Sequence, residues 1–116
     1  MQVTDLSDKA VDALTATIAI STQTSDAVKL YGCTAIGFAI PAAFTGTTVT
    51  FTGSMDGGTT FSTIKDKLDA TVSYTVSVDS AYALDAATFA PYDQIKIVSG
   101  SVEAAARSIT IKPFAI

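Results

Sequence analysis

Val49-Thr50-Phe51-Thr52-Gly53-Ser54-Met55-Asp56-Gly57-Gly58-Thr59-Thr60-Phe61 decides the fold of this chain. Val49 and Phe51 face one way while Thr48, Thr50 and Thr52 face the other, the period-two alternation of a half-buried strand. Asp56-Gly57-Gly58 then supplies the positive φ angles that a hairpin turn demands and that residues bearing a Cβ resist. The stretch reads as two strands joined by a tight glycine turn.

Outward from it the same grammar recurs at intervals of about ten residues, the spacing expected of a sandwich or barrel. Candidate strands are 14–21, 27–30, 34–40, 47–54, 60–64, 71–78, 94–99 and 107–114. Within them Ile18 and Ile20, Val28 and Leu30, Ile36, Phe38 and Ile40, and Val72, Tyr74, Val76 and Val78 each line one face. Ile95 with Ile97, and Ile109 with Ile111, do the same, and the alternates are mostly Thr, Ser, Lys and Gln. Gly37 and Ala39 break that rule and predict a strand covered on both sides, or one closely approached by another backbone. Turn residues punctuate the pattern, and residues 85–89 suit one helical turn. The fold class that follows is all-β, a two-sheet antiparallel sandwich, jelly-roll-like, with about eight strands.

A chain of 116 residues is one domain, here a β-sandwich over 14–116 preceded by a short N-terminal arm over 1–13. The arm carries Leu6, Ala10, Val11 and Leu14 at helical spacing with Asp5 or Ser7 as N-cap, but its length is marginal for a helix in water. A segment so short cannot bury the stripe of Leu6, Ala10 and Leu14 alone, so these residues are expected to contact a partner chain.

Hydrophobic content of 48% against 16% charged residues leaves apolar surface for a partner to cover. A net charge of -4 opposes binding to nucleic acid. The single Cys33 excludes an internal disulfide and suits a small core residue. The polar, acidic beginning of the chain does not resemble a secretory signal, and the longest apolar stretch, 35–44, holds Gly37 and Pro41 and is too short to span a membrane. Neither nucleic acid nor membrane is an expected partner.

The sequence holds no histidine, which removes the commonest general base and metal ligand together. Asp56, Asp66, Asp69, Asp79, Asp85, Asp93 and Glu103 all fall in turns, where carboxylates are usually solvated turn-formers. Asp56-Gly57-Gly58 lacks the ladder of acidic ligands of a calcium-binding EF-hand. Tyr31, Tyr74, Tyr82 and Tyr92 are the rings available for stacking on sugars, although Tyr74 alternates with core valines and is expected to be buried with its hydroxyl at an edge. The residues predict no enzyme, no cofactor and no metal.

Gly37-Phe38-Ala39-Ile40-Pro41-Ala42-Ala43-Phe44, then Val49-Thr50-Phe51 and 53–61, resemble a family of small structural proteins of tailed bacteriophages. The likeness continues through Tyr82-Ala83-Leu84-Asp85-Ala86-Ala87-Thr88-Phe89-Ala90, Ile95-Lys96-Ile97-Val98-Ser99-Gly100-Ser101 and 104–113. The resemblance implies a virion component made in the host cytoplasm, most plausibly a decoration or cement protein on the capsid exterior. Its partner would be the major capsid protein, and its own state a homo-oligomer, a trimer. A tail, baseplate or fibre-associated sandwich and a carbohydrate-binding module are the alternatives. Lys65-Asp66-Lys67-Leu68-Asp69 is more charged than the family pattern, and no functional residue carries over.

Overall fold

The computed structural model describes residues 12–115. Among them are nine strands: β1 (Leu14–Ile18), β2 (Val28–Lys29), β3 (Cys33–Ile40), β4 (Thr48–Ser54), β5 (Ser62–Thr63), β6 (Ser73–Thr75), β7 (Ser80–Ala83), β8 (Gln94–Ser99) and β9 (Arg107–Ala115). One short helix, α1 (Ala86–Phe89), follows β7, with Asp85 as its N-cap.

Each strand of the first half pairs antiparallel with its mirror in the second: β1 with β9, β2 with β8, β3 with β7, and β4 with β5 and β6. This is a long two-stranded ribbon that turns after β4. Rolling the ribbon adds β3–β9 and β4–β8 and closes two sheets, ordered β1-β9-β3-β7 and β2-β8-β4-β5, with β6 also on β4. The expected jelly roll is the result.

Nine segments fill eight positions because β5 and β6 lie end to end along one edge of β4. Thr52 and Gly53 pair with β5, and Thr48 to Thr50 with β6. Between them Ile64 N–H donates to Phe51 O at 2.9 Å and Val72 N–H to Ile64 O at 3.0 Å, so the chain leaves the edge after Ile64 and returns at Val72. The expected separate strands 60–64 and 71–78 are thus one strand interrupted by an excursion.

Alternation places the core. Val49 and Phe51 are fully buried while Thr48, Thr50 and Thr52 face outward, and Ile95, Ile97, Ile109 and Ile111 complete the inner faces. Phe38 of one sheet meets Phe51 of the other edge-on at 5.6 Å, and Phe51 meets Phe89 of α1 at 5.1 Å. Such ring pairs add about 0.5–1.5 kcal/mol each beyond burial. Thr34 Oγ1 donates to Ala86 O at 2.6 Å and ties α1 to β3. Cys33 is buried and free, a small residue of the interior.

The structure corrects several local expectations. β1 ends at Ile18, and Ile20 and Val78 stand in loops rather than on a core face. Ile36 is the extra residue of a bulge between Ala35 and Gly37, so Ala35 takes the buried place opposite Pro113. The glycine turn is wider than a tight hairpin, because β5 begins only at Ser62, although Gly57 and Gly58 do have φ of 75° and 97°. β7 was not expected at all. Its pairing explains Gly37, where an added Cβ would lie 3.2 Å from Tyr82 O: the close backbone is the neighbouring strand.

Candidate docking site at the loop end of the sandwich

The register sends the β1–β2, β3–β4, β6–β7 and β8–β9 connections to the same end of the sandwich, because Ile18 faces Arg107, Ile40 faces Ser80 and Val49 faces Ser99 there. Glu103, expected as a solvated turn-former, instead sits at 0% exposure among these loops. Its Oε1 accepts from Thr45 N–H and from Arg107 Nε, both at 2.9 Å. Its Oε2 accepts from Gly46 N–H at 3.0 Å and from Ser99 Oγ at 2.8 Å. An added Cβ at Gly46 would strike Ser99 Oγ, so only glycine lets the β3–β4 loop reach the carboxylate.

The main chain of Glu103 fastens a further loop: its N–H donates to Thr22 O at 3.0 Å, and its carbonyl accepts from Ser21 N–H at 2.9 Å. Burial by itself would raise the Glu103 pKa, but the Thr45 N–H, Arg107, Ser99 and Gly46 together outweigh it and hold the carboxyl below its ordinary 4.5. Four donors occupy a carboxylate with about four lone-pair sites, so this group is a structural clamp and not a general base.

The clamp fastens the loops that carry Ile20 and Val102, and the β6–β7 turn with Val78 lies at the same end without a bond to Glu103. Ser21, Ala43 and Asp79 have φ of 66°, 64° and 55°, a left-handed conformation that costs free energy and persists only where the surroundings enforce it. Ile20 is 60% exposed, Val102 54% and Val78 48%, all at this end. Sequence alternation misread Ile20 and Val78 as core. The signal available for Glu103 was a lone carboxylate within an apolar run, four residues before Arg107.

Of the sequence-predicted contact residues, Leu6 and Ala10 lie outside the described residues. Leu14 is the first residue of β1, opposite Ile111 and packed against this chain's own core, at the end away from Glu103. Asp56, Asp66 and Asp85 accept hydrogen bonds from nearby backbone N–H groups, as turn-formers should. Tyr82 stacks on Phe38 at 5.1 Å, Tyr31 is exposed in the β2–β3 turn, and Tyr74 and Tyr92 line cavities beside α1. Among the described residues no group of three or more His, Cys, Asp or Glu is placed to hold a metal ion, and no helix is long and apolar enough to cross a membrane.

No protein-family model matches the chain, no curated protein is significantly similar to it, and no solved structure matches it significantly.

Proposed function

We propose that the chain is a virion structural protein, a decoration protein that binds the major capsid protein on the outside of a tailed-phage head and stabilises the mature shell as a trimer. The observation that carries this reading is the loop end of the sandwich, where Glu103 fixes apolar side chains that the chain leaves exposed. Rigid apolar groups on fastened loops suit a permanent protein contact, because little conformational freedom remains to be lost on binding. The sequence resemblance to small phage structural proteins supports the same reading, as does a net charge of -4 that disfavours DNA as the ligand. A partner that binds only the expanded lattice stabilises that lattice by mass action.

The test is a particle made without this protein. Such particles should assemble but release DNA at a lower temperature than complete ones, and adding back the purified chain should restore the difference. Normal heat resistance combined with failed adsorption or tail joining would overturn the decoration reading in favour of a tail-associated sandwich.

A further inference from the structure

A groove runs between the β5–β6 excursion and α1, away from the Glu103 loops. It is a chain of three cavities. The first, about 220 Å³, is lined by Gly53, Asp56, Ser62 and Tyr92 among others. Tyr92 also lines the second, about 440 Å³, which shares Asp66, Asp85 and Thr88 with the third, about 390 Å³, where Tyr74 stands. The shared lining residues set the three cavities next to one another beside the interrupted strand edge, and the larger two fall within the range of about 300–1,000 Å³ typical of small-molecule sites.

Its rings and polar groups are set by the fold. An added Cβ at Gly53 would strike the ring of Tyr92, so the glycine lets that ring lie on the backbone of β4. Tyr74 is braced edge-on by Phe38 at 5.4 Å and Phe51 at 6.1 Å. Burial first, and then the charge of Asp85, lift the Tyr74 hydroxyl above its ordinary pKa of 10.0, so it stays a hydrogen-bond donor. Asp85 Oδ1 accepts from Ala87 N–H at 3.1 Å and its Oδ2 from Thr88 Oγ1 at 3.2 Å. Asp66 uses Oδ1 for both Leu68 N–H at 2.8 Å and Ala70 N–H at 3.0 Å, which leaves Oδ2 to accept from a ligand.

The lining selects among ligand classes. The lining carries Lys65 and Lys67 as well as Asp56, Asp66 and Asp85, and Lys65 Nζ is already paired with Asp69 at 3.1 Å, so the groove has no net positive charge with which to hold phosphates or other anions. An extended peptide adding to the sheet would need a continuous strand edge, and the excursion between Ile64 and Val72 breaks it. Fixed tyrosine rings together with fixed carboxylate and hydroxyl oxygens match the apolar faces and rim of hydroxyls of a sugar chain. The geometry points to a binding site for an extended, neutral oligosaccharide in the groove between α1 and the β5–β6 excursion. This site is independent of the docking end and of the capsid reading.

The experiment is a titration of the ¹⁵N-labelled full chain with soluble hexasaccharides of glucose (β- and α-linked), xylose, mannose and N-acetylglucosamine, followed by amide chemical shifts. At least one should shift the amides of Gly53, Leu68, Ala87, Thr88 and Tyr92 and leave those around Glu103 unmoved. Tyr92→Ala should weaken that binding about tenfold or more. Asp85→Asn, which keeps a good helix cap, should weaken it with an unchanged melting temperature. No shift in the groove with any of these sugars at millimolar concentration, shifts confined to the Glu103 loops, or wild-type affinity in either variant would overturn the proposal.

Discussion

Arg107 Nε lies 2.9 Å from Glu103 Oε1, and the pair joins the first residue of β9 to a loop that also grips the β1–β2 and β3–β4 connections. The Glu103 side chain is fully buried and that of Arg107 nearly so. Removing one partner of such a pair leaves the other charge and its donors uncompensated. Glu103→Ala should therefore cost about 3–5 kcal/mol in urea unfolding. Lys65→Ala, which breaks the exposed 3.1 Å pair with Asp69, should cost under about 1.

Acid should act through the same carboxylate. The folded Glu103 binds its proton less tightly than the unfolded residue, whose pKa is near 4.5, so its contribution is complete above that value and is lost as pH falls through the lower folded value. Asp56, lowered from 3.8 chiefly by the Thr60 N–H and then by Ser54, acts in the same direction. Urea midpoints should hold between pH 7 and 5 and fall below about pH 4.5, and Glu103→Gln should flatten that fall.

The alternation in β4 has a direct energetic reading. Phe51→Ala should cost about 3–5 kcal/mol, since the ring is fully buried against Phe38, Tyr74 and Phe89. Thr50→Ala, on the outer face, should cost under about 1 kcal/mol. Equal losses would mean that the outer face is covered as well, as at a subunit contact.

Gly53 and Tyr92 should behave as one unit. Gly53→Ala places a methyl group against the Tyr92 ring and should cost about 1–3 kcal/mol. In the presence of Tyr92→Ala the same change should cost distinctly less, so a double-mutant cycle gives a favourable coupling energy. A coupling of zero would place the strain elsewhere.

On the proposed decoration role, charge placed on the loop end should abolish attachment to particles without unfolding the chain. Ile20→Asp and Val102→Asp replace exposed side chains, so melting temperatures should stay nearly unchanged while binding to particles is lost. Wild-type attachment should persist at about 1 M salt, where charges are screened beyond about 3 Å.

Local patterns were readable and long-range ones were not. β8 was legible to the residue, because Ile95 and Ile97 alternate with Gln94 and Lys96 and Ser99-Gly100 stops the run. Ser80-Ala81-Tyr82-Ala83 has little strand preference of its own and becomes β7 through pairing with β3. Ile20 and Val78 keep the alternating pattern past the point where hydrogen-bond partners end, so periodicity overran the strands. The donors to Glu103 include Thr45 and Gly46, 58 and 57 residues away, a distance that no local spacing encodes. The groove likewise depends on Tyr92 meeting Gly53 from another part of the chain.

The nested pairing also sets an order on synthesis. Leu14 finds its partner only in Ile111, and β9 lies between β1 and β3, so the middle of the first sheet is made last. Chains emerge from the ribosome N-terminus first, and until β9 follows, β1 and β3 keep open edges that other chains can pair with. Glu103 arrives just before β9, and Arg107 is its first residue. A chain stopped short of them lacks the clamp that fastens its loops, so a truncated copy keeps its strand edges open and its apolar loops loose, and is the form most prone to aggregate.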